Sequence, residues 1–162
     1  MHDENAGRPE LNSVVANCVR KHDVEFLDRK GRVVADLKDP SRVYALHLEG
    51  LGMLVSARFI GEQTCFDMWV SRLRAERNAT GINWRLPSMP ELSFIADLNV
   101  YQPAMPQGFD ETRGRVWTST PCAWDNAKRY TMEVMTGTVD YQSRVEFANI
   151  IAVANYTPTP NT

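Results

Sequence analysis

Trp84-Arg85-Leu86-Pro87-Ser88-Met89-Pro90-Glu91-Leu92 is the stretch whose reading decides the fold. Ser88 is a helix-capping residue, Pro90 falls in the first turn, and Glu91, three residues after Ser88, completes a capping box. Leu92, Ile95 and Leu98 then recur at helical spacing, which predicts a short helix over about 91–98. Twenty-five residues after Leu92 comes Trp117-Thr118-Ser119-Thr120, which reads as a strand with an aromatic anchor.

Working outward, Phe66 to Arg77 is a first helix. Phe66, Trp69, Val70 and Leu73 form its apolar stripe, Arg72, Arg74, Glu76 and Arg77 face away, and Asn78-Ala79-Thr80-Gly81 stops it. Upstream, Val24–Leu27 and Arg32–Ala35 flank Asp28-Arg29-Lys30-Gly31 as a hairpin, with Gly31 at the positive-φ position. Val43–Leu48 and Met53–Ser56 read as strands punctuated by Gly50 and Gly52. Asn99 to Gly114 is a long Pro- and Gly-rich loop, a class of segment that often carries function. Beyond it Arg115–Ser119, Lys128–Met135, Thr138–Gln142 and Val145–Asn155 alternate as strands, with Thr136-Gly137 as one turn. Two short helices followed by an antiparallel sheet is an α+β arrangement.

In this order, W-R-L-P-S-x-x-E-L followed by W-T-S-T resembles the bacterial C-type-lectin-like domain found at the C-terminus of bacterial collagen-like adhesins. The resemblance covers roughly residues 45–156. It implies a C-type-lectin-like fold, with two short helices packed on a twisted antiparallel sheet, and a binding rather than a catalytic role. In that family the two motif tryptophans are core residues, so Trp84 and Trp117 are expected to be structural, together with Ser88 and Glu91. A G-L-x-W-like strand precedes the first helix in the family; here Gly52-Met53-Leu54 stands without the tryptophan. The expected organisation is an N-terminal arm and hairpin over 1–44, the lectin-like domain over 45–156 and a polar tail over 157–162. Val14, Val15 and Val19 give residues 1–20 enough apolar content to dock on a neighbouring subunit; the alternative is a disordered tail.

A chain of 162 residues with 43% hydrophobic and 23% charged residues is long and apolar enough for one sizeable core. A net charge of −2 gives no general pull toward nucleic acid, and no apolar run approaches the ~20 residues of a membrane helix. Met1-His2-Asp3-Glu4-Asn5 lacks the pattern of a signal peptide. That places the chain in a virion or the cytoplasm of the producing cell, with an extracellular location as the alternative. Cys18, Cys65 and Cys122 form no C-x-x-C pair, which argues against zinc at the cysteines and for reduced thiols, with one disulfide plus one free thiol as the other arrangement.

Trp124 follows Pro121-Cys122 in a loop and is the best placed of the tryptophans for an exposed contact, such as stacking on a sugar ring. Trp124-Asp125-Asn126 and Gln102-Pro103-Ala104 are neighbours of the W-N-D and Q-P-D patterns of calcium-dependent lectins. Ala104 lacks the required oxygen and Asp125-Asn126 is in reversed order, so turn chemistry is the reading preferred and no metal or cofactor is assigned. The expected display surface combines the 99–114 and 120–128 loops, with Trp124, Asp125, Asn126, Gln102, Asp110 and Arg113 as ligand-binding candidates. Arg72, Arg74, Arg77 and Arg85 are read as a solvated helix face. His47, in a predicted strand, is read as an ordinary packed histidine, and no catalytic residue is assigned. The expectation is a non-enzymatic binding or assembly module, homo-oligomeric, with protein partners or a cell-surface glycan receptor. A phage virion component is the leading context and a secreted adhesin the second. A formylglycine-generating-type oxidase is third, since the same broad fold hosts it but Cys65 and Cys122 lack its motifs.

Overall fold

The computed structural model describes residues 20–157. The expected arm over 1–20 apart from Arg20, Cys18 within it, and most of the polar tail lie outside them. Among the described residues seven strands and two α-helices follow in order: β1 (Val24–Leu27), β2 (Ala45–Leu48), β3 (Met53–Ser56), α1 (Trp69–Thr80), α2 (Met89–Ile95), β4 (Arg115–Cys122), β5 (Asp125–Glu133), β6 (Thr138–Ser143) and β7 (Val153–Asn155). The fold is α+β, as expected, but the strands make two antiparallel sheets rather than one: β1-β2-β3-β7 and β4-β5-β6.

All eight residues of β2 and β3 are buried, because apolar layers cover both faces of the four-stranded sheet. One layer holds Leu46, Val55 and Val153 against Leu92 and Ile95 of α2 and Met132 of β5. The other holds Ala45, Leu54 and Ala154 with Leu73 of α1 and the two tryptophans Trp84 and Trp117. Both indoles are fully buried, and Trp117 Nε1 donates to the Thr64 carbonyl at 2.9 Å, which meets the polar demand of a buried ring.

Ser88 starts α2 as its sequence requires. Its hydroxyl accepts from Glu91 N–H at 3.2 Å, and Glu91 Oε1 accepts from Ser88 N–H at 2.9 Å. Arg85 grips the same carboxylate with two bonds of 2.7 Å, so the W-R-L-P lead-in and the helix are tied together. The helix ends at Ile95, earlier than the spacing predicts, and Leu98 lies 74% exposed. Asp97, fully buried, accepts backbone N–H groups from Lys21 and Asn99, and this alternative bonding replaces a further helical turn.

The first helix also begins later than expected. Phe66–Met68 forms a single 3-10 turn, and α1 runs on to Thr80 before Gly81, at φ 73°, closes it with an N–H bond to Arg77 O. Val70 is exposed rather than part of the buried stripe, and Glu76 does not face away but accepts from the Tyr44 hydroxyl. The Asp28–Gly31 turn forms with Gly31 at φ 79°, yet Arg32–Ala35 contributes only one bridge, Leu27 to Val33. The full partner of β1 is β2, with Glu25 opposite His47.

Val145–Asn155 departs most from expectation. After β6 the chain turns away, held by Gln142 Nε2 on Phe147 O, and runs as the buried segment 148–154. Its end, β7, pairs with β3 and completes the other sheet.

Candidate functional site

Cys122 and Asp125 close a tight β4–β5 hairpin whose two turn residues are Ala123 and Trp124. Trp124 projects from it, 59% exposed. Its indole stands edge-on to two rings: Tyr141 at 5.2 Å and 85°, and Tyr130 at 6.1 Å and 86°. Tyr130 and Tyr141 are themselves opposite one another in the β5–β6 ladder. Edge-to-face contacts of this kind fix ring orientation at little entropic cost. The result is a right-angled aromatic corner facing solvent.

The polar groups around the corner are fixed as well. Asp125 Oδ1 accepts from Ala127 N–H at 2.9 Å, the turn chemistry its sequence suggests, and Lys128 Nζ lies 3.9 Å from the same carboxylate. Lys128 also sits 5.3 Å above the Tyr141 ring. Asn126 is exposed, and its carbonyl accepts from Arg129. Behind the hairpin Cys122 is buried and its thiol pKa is raised by that burial. Both Cys65 and Cys122 are free thiols.

A second concavity, of about 610 Å³, opens where the 99–114 loop meets the far end of β5. Gln102 and Arg113 line it with Phe59, Glu133 and Asn149. Gln102 N–H bonds to Met135 O and Ala104 N–H to Val134 O, so the loop is stitched to the chain following β5. Gln102 has φ 55° and its peptide bond to Pro103 is cis. Glu133 Oε1 accepts from Gly114 and Met135 N–H groups. Gly114, at φ 132°, is needed here: a Cβ would stand 2.7 Å from Asn149 Nδ2 and 3.0 Å from Phe59 Cζ.

The six ligand-binding candidates therefore occupy three places. Trp124, Asp125 and Asn126 share the aromatic corner. Gln102 and Arg113 share the loop concavity. Asp110 is in neither; it lies 3.5 Å from Arg58 and its N–H bonds to Ala57 O. Asp125 and Glu133 are the two ends of β5, so corner and concavity are separated by roughly 25 Å of extended chain. The 99–114 and 120–128 loops do not form one display surface, and Gln102 and Asp125 cannot ligate one cation. Tyr130, Tyr141 and Lys128 are the contributors that the sequence reading misses. The expected two-residue Thr136-Gly137 turn would set Tyr130 opposite Ser143; the turn takes four residues, 134–137, and that shift of register brings Tyr130 and Tyr141 together.

The molecule is thus a small α+β domain that carries an aromatic corner on a hairpin and a polar hollow under a long loop. Residues 62–154, more than half of the chain, match the family model of the Lcl C-terminal domain, and the chain belongs to that family. The match contains α1, α2, both motif tryptophans, the corner and nearly all of the hollow, while β1, β2 and β3 precede it. No match was found among curated proteins.

Proposed function

We propose that this chain is a non-enzymatic, lectin-like binding module that takes a sugar ring against the exposed face of Trp124. The carrying observation is the geometry of that indole, 59% exposed yet held edge-on by two tyrosines. A preorganised aromatic face suits the C–H face of a pyranose, because little conformational freedom remains to be lost on binding. The Asn126 amide and the Tyr130 and Tyr141 hydroxyls supply polar partners, and Lys128 favours glycans that carry some negative charge. Asp125 is already engaged with Ala127 and Lys128, so stacking and hydrogen bonding are the chemistry this surface offers. Membership of the Lcl C-terminal domain family supports the lectin-like reading.

The context we propose is a phage virion, with the module as a homo-oligomeric decoration or receptor-binding protein, and a secreted bacterial adhesin is the second context. The recurrence of lectin-like domains on phage particles supports the first. Binding is tested on a glycan array with the full chain and with Trp124→Ala and Trp124→Phe. The expected result is a defined set of bound glycans, lost in the alanine variant and partly kept in the phenylalanine variant, with both variants folded and cooperative in thermal melts. Undiminished binding by Trp124→Ala would move the site elsewhere, and Arg113→Ala then tests the concavity. Mass spectrometry of purified particles tests the virion context, which fails if the chain is not among their proteins.

A further inference from the structure

We infer that Glu25, His47 and Glu49 form a binding site for a divalent transition-metal ion, zinc being the best fit. The site is independent of the aromatic corner. His47 is in β2 and Glu25 stands opposite it in β1. Directly paired residues in an antiparallel ladder put their side chains on one face. Glu49 follows His47 by two residues, across an extended Leu48 at φ −87° and ψ 95°, and returns to that same face. Its backbone is fixed there by an N–H bond to Asp23 O. The register thus sets Glu25 beside His47, and Glu49, first residue of the 3-10 turn that follows β2, joins them from the strand end.

The ligand atoms of the three side chains lie within 4.8 Å of one another. His47 Nδ1 is 3.3 Å from Glu25 Oε1. That separation is long for an N–H to carboxylate hydrogen bond, whose usual length is about 2.9 Å. It equals the spacing of two ligands on a tetrahedral zinc ion, about 3.3 Å for bonds of about 2.0–2.1 Å. The imidazole is preorganised: its side chain is 6% exposed and the Tyr156 ring packs on it edge-to-face at 4.7 Å. Glu25 is 34% exposed and Glu49 is at the surface, so an ion has access from solvent and Glu49 closes the remaining distance by a rotamer change. One imidazole nitrogen with two carboxylates suits zinc and its neighbours rather than calcium, which takes oxygen alone. A water molecule fills the fourth position. Bound there, the ion clips the edge strand β1 to β2.

Isothermal titration of the metal-free full chain with zinc chloride tests the site, followed by thermal melts in zinc and in chelator. One equivalent is expected to bind, to raise the melting temperature, and to be removed by chelator. Glu25→Gln and Glu49→Gln, both at partly or fully exposed positions where folding is retained, should each weaken zinc binding at least tenfold, and calcium should not compete. Cobalt substitution should give visible d–d bands without sulfur charge-transfer bands in the near ultraviolet. The assignment is overturned if no saturable zinc binding occurs. It is equally overturned if both glutamine variants bind as the parent does, or if the cobalt spectrum shows thiolate ligation, which would place the ion at cysteines instead.

Discussion

Replacing Glu91 by glutamine removes one charge from the junction that sets the start of α2, and its cost should depend on pH in a defined direction. The Glu91 carboxyl is held down from the ordinary glutamate value of 4.5 to about 2. The two 2.7 Å bonds from Arg85 are the main cause; burial opposes them, and the Ser88 N–H adds to the lowering. That span corresponds to roughly 3 kcal/mol at about 1.4 kcal/mol per pH unit. Glu91 and Arg85 are 27% and 38% exposed, and solvent screening reduces the expected contribution to ~1–2 kcal/mol. Because the folded-state value lies below the unfolded one, the stabilisation is fully present above pH 4.5. It is lost as the pH falls toward about 2. Glutamine retains an oxygen for the capping box but faces Arg85 Nη2 with an NH2 donor, so one Arg85 bond is lost with the charge and only the charge-dependent part of the difference varies with pH. Urea unfolding of parent and variant from neutral pH down to about pH 2.5 should show a difference of ~1–2 kcal/mol that shrinks steadily below about pH 4.5. A difference that stays constant across that range would refute the argument, since Glu91 would then titrate alike in folded and unfolded chains.

Trp84→Ala and Trp117→Ala should each cost ~3–5 kcal/mol in denaturant titration, because both indoles are fully enclosed and Trp117 also supplies one of the two N–H groups, with Ala148, that donate to the Thr64 carbonyl. A variant of either that keeps parental stability contradicts the core assignment. Gly108→Ala should lower stability by ~1–3 kcal/mol in the same assay: φ is +95°, and the added Cβ would meet Phe26 Cε1 at 2.5 Å and Leu46 Cδ2 at 2.9 Å. Cys122, 3% exposed with a thiol raised by burial, should resist alkylation in the native state and react on unfolding, while the partly exposed Cys65 reacts first. Peptide mapping after a timed iodoacetamide pulse distinguishes the two, and equal native labelling contradicts the burial of Cys122.

The local devices were legible because each is written within a few residues. Ser88, Pro90 and Glu91 specify a helix start whatever surrounds them, and Gly31 and Gly137 take the positive-φ turn positions their neighbours require. The burial of Trp84 and Trp117 came from the resemblance rather than from periodicity, and the structure places both in the core. Of the candidate site, Trp124 and the Asp125 turn bond were readable from the hairpin chemistry.

Pairing and separation needed the tertiary structure. Val153–Asn155 has strand composition, but composition does not say which sheet accepts it. The decision belongs to β3, whose open edge and buried faces lie some hundred residues earlier in the chain. Leu98 continues the spacing of Leu92 and Ile95, yet Asp97 ends the helix by bonding to Lys21, a partner far away in sequence. The same holds for function. The sequence determined an α+β chain with a capped second helix, two anchoring tryptophans and an exposed-tryptophan hairpin. Only the tertiary structure decided that the hairpin and the long loop lie at opposite ends of β5, that two tyrosines brace Trp124, and that His47 meets two glutamates. Local signals act over one or two turns of chain, whereas these juxtapositions arise from strand register and from burial of both faces of a sheet, which depend on residues brought together only by folding.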